Sequence, residues 1–218
     1  MNEEKTGSTH VERLRTAMRR RQEQEKQELR QTILSAAAGL FLEHGYERFS
    51  LRQVAERIGY SPTTIYLYFR NKEDLLFTVV EEGFVRFGKQ LEAALIGVDD
   101  PWEQVGALGR AYITFGVENP AYYQMMFVQR TDFLWQSQEG ESQPRLAAFQ
   151  ILRQTVQRAI DANVLRAGNA DDYSDLLWAV THGIVSLAIS FPVFDTARVQ
   201  RLIETWNQTL STGLRSGE

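Results

Sequence analysis

Apolar residues recur at spacings of three and four through most of the chain, which is the period of helices that bury one face. No stretch alternates apolar and polar residues as a half-buried strand does, and no internal repeat is found. All five prolines fall at plausible helix boundaries. The pattern therefore predicts an all-α protein.

Short helices with clear boundaries are predicted in the N-terminal third. A first helix ends near Gly45, and Ser50 and Gln53 form a capping box that begins a second. After a turn at Gly59, Ser61 caps a third helix whose first residue is a proline. Two short helices joined by a glycine turn indicate a helix-turn-helix, which places its second helix in the major groove of DNA.

The charge distribution agrees with that placement. The net charge is −4, but residues 1–75 hold 13 Lys and Arg against 11 Asp and Glu, and the remainder holds 11 against 17. A nucleic-acid surface is therefore expected in the N-terminal third.

Two further features bear on the compartment. Cysteine is absent, which excludes disulfides and thiolate sites, and the charged N-terminus has no apolar stretch beside it, so a cytoplasmic protein is expected. The 19 uncharged residues at 176–194 approach membrane-spanning length. Their polar residues favour a helix buried in a core or a subunit interface, so no membrane partner is predicted.

The string FSLRQVAERIGYSPTTIYLYFRNKEDLL at residues 49–76, with Gly45 and Tyr46 before it, resembles the TetR family of one-component regulators. The resemblance is strongest over about residues 28–80. It implies a three-helix DNA-binding domain joined through a fourth helix to a larger helical domain for ligand binding and dimerisation. The expected divisions are a basic arm at 1–25, the DNA-binding domain with its connecting helix at 26–88, and the effector and dimerisation domain at 89–218.

Eight side chains on the second helix, the third helix and the start of the fourth are candidates for DNA contact: Arg52, Ser61, Thr63, Thr64, Tyr66, Leu67, Tyr68 and Lys72. Arg52 can reach a guanine edge or a phosphate, and threonine can bond phosphate or touch a thymine methyl. The resemblance assigns DNA contacts to the two tyrosines. Lys72 beside the N-terminus of the fourth helix suits a phosphate. The alternative for each is a solvated or packed side chain without a partner.

A basic segment precedes the first helix. No Pro or Gly lies between Ser8 and Gly39, so the helix is able to extend backwards toward DNA, carrying Arg13, Arg15, Arg19, Arg20 and Arg21. A frayed, solvated arm is the alternative.

The C-terminal part carries a second resemblance. Residues 120–135, PAYYQMMFVQRTDFLW, and residues 178–183, WAVTHG, resemble the TetR-like domain named for its Trp-His-Gly residues. A pocket for a small, hydrophobic effector is expected, and the alternative is that the same residues form packed core. The seven residues are Phe115, Tyr122, Tyr123, Met126, Phe127, Trp178 and His182. A polar stretch at 136–143 predicts a loop.

A homodimer is expected through the last two helices, which hold more apolar residues than one helix pair needs: Ile184, Leu187, Phe191, Ile203, Trp206 and Leu210.

These features together predict a ligand-responsive regulator, a repressor that a small molecule releases from double-stranded operator DNA. One alternative keeps the DNA binding but acts through a protein partner, as a nucleoid or division factor does. The remote alternative is a helical enzyme. The histidines at 10, 44 and 182 lack metal-like spacing, and no Walker loop, dinucleotide fingerprint or serine elbow is present, so no catalytic residue, metal or cofactor is expected.

Overall fold

The structure is a computed structural model that describes residues 4–128 and 144–215. Residues 129–143, which contain the loop predicted at 136–143, lie outside the described residues. The described chain is helical, and its only β-type pairing is an isolated bridge between Leu165 and Arg215. The all-α prediction is confirmed.

The helices, in chain order, are α1 Glu4–Arg48, α2 Leu51–Ile58, α3 Pro62–Tyr66, α4 Lys72–Leu95, α5 Pro101–Glu118, α6 Pro120–Tyr123, α7 Pro144–Asp161, α8 Ala170–Ser190 and α9 Thr196–Leu214. A π-helical turn, Gln124–Val128, follows α6 directly. The chain divides into two compact units, unit 1 at Met1–Val79 and unit 2 at Val80–Glu218. The division falls inside α4, which the sequence interpretation assigned to the N-terminal domain as far as residue 88.

Side-chain caps begin α2 and α3 in unit 1. The Ser50 hydroxyl accepts the backbone N–H of Gln53 at 3.3 Å, and the Ser61 hydroxyl accepts that of Thr64 at 3.2 Å. The Ser50 hydroxyl also donates to the Gln53 side-chain oxygen at 3.1 Å. Both helices therefore begin where the sequence places them.

The helix α3 is held by two apolar anchors. Ile65 is fully buried and Phe69 is 2% exposed, and α3 packs against α2. The helix itself ends at Tyr66, and Leu67 and Tyr68 continue as a turn. Burial of one side of this segment leaves Tyr66 and Leu67 exposed.

Gly59 forms the turn between α2 and α3 with a left-handed backbone, φ 74° and ψ 27°. We expect Gly59→Ala to lower the free energy of unfolding by about 1–2 kcal/mol, because a Cβ atom is strained in this conformation. Gly39→Ala is the control. Gly39 lies in α1 with open space around it, so alanine there raises helix stability by up to about 1 kcal/mol. Urea unfolding of the full chain measures both, and equal effects would contradict the turn argument.

In unit 2, α5 packs against α7 and α8. Gly116 marks the closest approach: a Cβ atom there would lie 2.4 Å from Val185 Cγ1. Larger side chains would separate the two helices, which explains a glycine in the interior of α5. Within residues 4–128 and 144–215, no helix is both long enough and apolar enough to cross a membrane.

Candidate functional site

The candidate DNA-binding side chains of unit 1 are mostly at the surface. Arg52, Ser61, Thr63, Tyr66 and Leu67 are exposed, while Thr64, Tyr68 and Lys72 are half-buried. Tyr66 is 59% exposed and Leu67 80% exposed, so both side chains are accessible to a partner. Tyr60, in the turn before α3, is also exposed and was not selected from the sequence.

Arg52 is paired, but weakly. Its Nε lies 3.1 Å from Glu56 Oε1, and both side chains are more than half exposed to solvent. An exposed pair at this helical spacing contributes about 0.3–0.5 kcal/mol, so a phosphate or a base edge can replace the carboxylate at little cost.

Lys72 is positioned by Tyr46. The Lys72 Nζ donates to the Tyr46 carbonyl oxygen at 3.3 Å and lies 3.9 Å from the centre of the tyrosine ring. An ammonium group has three donors, so this contact orients the group without exhausting it.

The same tyrosine also holds the first turn of α4. Its hydroxyl donates to Glu73 Oε1 at 2.5 Å, which lowers the pKa of Glu73 and raises the pKa of Tyr46. Tyr46 belonged to the family pattern in the sequence, but its role in fixing α4 becomes visible only in the structure.

Unit 2 contains a cavity of about 330 Å³ lined by residues of α4, α5, α7, α8 and α9 together with Phe127. Its wall is largely aromatic: Phe84, Phe87, Tyr112, Phe127, Phe149, Trp178 and Trp206. The charged lining residues are Arg145 and the exposed Asp175. This volume and lining suit a small apolar molecule.

Three polar side chains of the cavity wall, those of Tyr112, Trp178 and Thr181, are hydrogen-bonded within the protein. Trp178 Nε1 donates to the Tyr112 hydroxyl at 3.0 Å, and that oxygen lies 3.3 Å from the Tyr123 hydroxyl. Thr181 donates to the carbonyl oxygens of Leu177 and Trp178 at 2.9 and 3.0 Å. The wall therefore offers a ligand mainly apolar contact.

His182 completes this network behind the wall. Its Nδ1 lies 2.6 Å from the Tyr123 hydroxyl and 3.2 Å from that of Tyr112. Burial lowers the pKa of His182 and raises that of Tyr123 to about 12, so the ring is neutral and the phenol protonated at pH 7. The neutral ring and the two phenols thus form one hydrogen-bonded group through Nδ1.

The predicted pocket residues meet the cavity only in part. Phe127 and Trp178 line it, whereas the other five do not: Phe115, Tyr122, Tyr123, Met126 and His182. The first four of these are buried core, and His182 is half-buried. The π-helical turn after the short α6 changes the direction of successive side chains, which regular helical spacing does not anticipate.

Sequence reasoning did not select several residues that line the cavity. For one of them, Gly109, the sequence contained a signal. A Cβ atom on Gly109 would lie 2.7 Å from the Trp206 ring, so the glycine makes room for that indole at the cavity. Glycine inside an otherwise apolar helix is a reason to look for a close approach.

The residues predicted for a dimer interface are divided between core and surface. Ile184, Trp206 and Leu210 are buried within their own unit, and Trp206 lines the cavity, so these three have little surface to offer a partner. Leu187 and Ile203 are half-buried. Phe191 is 53% exposed. Sequence periodicity marked the apolar faces but did not distinguish burial within one chain from burial between two.

Comparisons with known proteins agree with this two-unit organisation. Residues 33–79 match the family described as "Bacterial regulatory proteins, tetR family", and residues 105–209 match "Tetracyclin repressor-like, C-terminal domain". The C-terminal match does not name the Trp-His-Gly type, which stays a prediction.

Curated relatives match over shorter segments. The Fatty acid metabolism regulator protein of Bacillus subtilis is 37% identical over 60 residues, covering 28% of this chain and 31% of the relative. The HTH-type transcriptional repressor KstR of Mycolicibacterium smegmatis is 32% identical over 90 residues, covering 39% and 44%. The chain thus spans less than half the length of these relatives.

Solved structures match over most of the chain. A protein of unknown function from Rhodococcus sp. RHA1 is 26% identical with a TM-score of 0.69, covering 85% of this chain and 95% of that one. The fatty acid degradation regulator FadR from Bacillus halodurans is 19% identical with a TM-score of 0.72, covering 86% and 97%. With matches to both characteristic domains and this shared fold, the chain belongs to the TetR family of bacterial regulatory proteins.

Proposed function

We propose that this protein is a transcriptional repressor that binds double-stranded operator DNA as a homodimer and is released by a small hydrophobic effector. The observation that carries the proposal is the apolar cavity of unit 2 in a chain whose unit 1 exposes Tyr66 and Leu67 beside a capped helix-turn-helix. A protein needing only to hold DNA would have no use for the cavity.

The relatives support this assignment. KstR is named a transcriptional repressor, and SmeT, 23% identical with a TM-score of 0.66 over 87% of this chain and 92% of its own, was solved in complex with triclosan. The effector of the present chain binds in the aromatic cavity, where apolar contact supplies most of the affinity. The family match is to regulators, which argues against the enzyme alternative.

Dimerisation uses the apolar surface left on α8 and α9. Leu187, Phe191 and Ile203 of the predicted interface remain accessible in part, and Leu176 is 47% exposed. A two-fold axis pairs such a surface with its own copy. The complex acts in the cytoplasm, where operator DNA is found.

Effector binding and DNA binding should weaken each other by the same factor. The full chain is used to select duplexes from a random library, and DNA affinity is then measured by fluorescence anisotropy with and without the uncharged fluorophore N-phenyl-1-naphthylamine. We expect the fluorophore to weaken DNA binding by at least tenfold, and the selected duplex to weaken fluorophore binding equally, because the ligand must favour one conformation to shift the equilibrium.

Failure to enrich any duplex would overturn the DNA-binding proposal. Enrichment of a duplex whose affinity does not respond to the bound fluorophore or to any other hydrophobic compound would instead favour the alternative in which a protein partner controls DNA binding.

A further inference from the structure

The helix α1 continues far beyond the helix-turn-helix as an exposed extension, residues 12–28. Every side chain in this range is exposed, and the only non-helical backbone in α1 is at Gly45. Arg21 pairs with Glu25 at 2.9 Å, and Gln24 and Gln27 bond to acidic residues four positions away. These contacts support the helix, but nothing in the described part of the chain covers it.

One face of α1 changes its chemistry along the helix. Ile33, Ala37 and Leu40 lie on one face at 100° per residue and are buried in the core of unit 1. Continued toward the N-terminus at the same steps of three and four, this face carries what we call the basic stripe, namely Arg15, Arg19, Gln22 and Lys26. The face is apolar where the helix-turn-helix covers it and cationic where it is uncovered.

Arg30 relates this face to the recognition helix. Its guanidinium lies 5.6 Å from the centre of the Phe69 ring, just after α3. The side of α1 that bears the stripe is therefore the side on which the end of α3 lies. At 1.5 Å per residue, Arg15 stands about 22 Å beyond Arg30 along the helix axis.

The cationic side chains of the stripe form no ion pair within the described residues, although Glu23 lies four residues after Arg19 and three before Lys26. Among the described residues, no hydrogen bond or ion pair engages the side chains of Arg15, Arg19 or Lys26. No Asp or Glu occurs between Glu12 and Glu23. An external polyanion would supply the missing negative charge.

We propose that α1 runs along the same duplex that α3 reads and that the basic stripe binds its phosphate backbone, with Arg15 reaching about six base pairs beyond the recognition helix, since bases rise about 3.4 Å each. This inference rests on the proposed DNA-binding function and adds a second, sequence-independent contact to it. A membrane surface fits less well. Leu14 and Met18 are the exposed large apolar side chains of the extension, too few for the broad apolar face of an interfacial helix.

Two full-length triple variants test the stripe. Arg15→Gln/Arg19→Gln/Lys26→Gln removes its charges, and the control removes three charges from other faces of the same helix, at Arg13, Arg20 and Arg21. Glutamine preserves helix propensity, which circular dichroism verifies. Affinity for a random-sequence 40-base-pair duplex is measured between 50 and 300 mM salt.

We expect the stripe variant to make the slope of log affinity against log salt shallower by about 2–3 units for each bound protomer. Each lost phosphate contact reduces the magnitude of this slope by about 0.9. The control should lower the slope by less than about one unit. On the selected duplex, where the binding register is fixed, removing the base pairs outside those that α3 covers should abolish the difference between wild type and stripe variant.

Equal losses in both variants would overturn the stripe, since they would show an effect of net charge alone. Unchanged slopes in both, with wild type still binding the duplex, would also overturn it while leaving the DNA-binding function intact. Failure of wild type to bind any duplex would overturn both proposals. Tighter binding to phosphatidylglycerol vesicles than to the duplex would assign the stripe to a membrane instead.

Discussion

Ala148→Phe should weaken effector binding at least tenfold while leaving DNA affinity unchanged in the absence of effector. Ala148 is 2% exposed and lies on α7 in the wall of the cavity. A phenyl ring added there enters a volume of about 330 Å³ that the effector must share. We expect the affinity for N-phenyl-1-naphthylamine to fall at least tenfold, about 1.4 kcal/mol.

Ala147→Phe provides a matched control, because the same substitution one residue earlier falls on an exposed position outside the cavity lining. Fluorescence titration compares the three proteins, and urea unfolding checks that overpacking has not removed more than about 1–3 kcal/mol of stability. If Ala148→Phe binds the fluorophore as well as Ala147→Phe does, the effector site is not this cavity.

Local chemistry made unit 1 predictable. Ser50, Gly59 and Ser61 each impose a backbone geometry through one hydrogen bond or one positive φ, so the boundaries of α2 and the start of α3 follow from neighbouring residues alone. The end of α3 could not be predicted from neighbouring residues. It depends on how the chain turns to bury Phe69, which is a tertiary contact.

The cavity was less predictable, because it is formed by residues far apart in sequence. Phe84, Tyr112, Phe149 and Trp206 come from four different helices, and no spacing rule connects them. Helical periodicity identifies an apolar face but not whether the space in front of it is filled. The core residue Tyr123 and the lining residue Phe127 were therefore not distinguishable in the sequence.

The network around His182 shows the same limit. Trp178 and His182 share a helix face by their spacing, and this much the sequence contained. Their hydrogen bonds to Tyr112 and Tyr123 join α8 to α5 and α6. Because these polar atoms bond to one another, the wall offers a ligand mainly apolar contact. Satisfied polar groups cannot be distinguished from available ones without the contacts themselves.

The strongest effect on DNA binding is expected from a negative charge on the exposed end of the recognition helix. Leu67 is 80% exposed and is the first residue after α3. A glutamate there brings a carboxylate toward the phosphates without disturbing a packed side chain. Because like charges brought together at an interface cost several kcal/mol, we expect Leu67→Glu to weaken the selected duplex at least a hundredfold.

Ile96→Glu separates this local repulsion from a change in net charge. Ile96 is 81% exposed and directly follows the end of α4, so it matches Leu67 in exposure and in position after a helix. Both variants add one negative charge just after the C-terminus of a helix, where the helix dipole disfavours it by at most about 1 kcal/mol. Fluorescence anisotropy at 150 mM salt should show a loss of less than threefold for Ile96→Glu. A comparable loss in both variants would mean that Leu67 does not face the duplex, and the assignment of α3 as the recognition helix would fail.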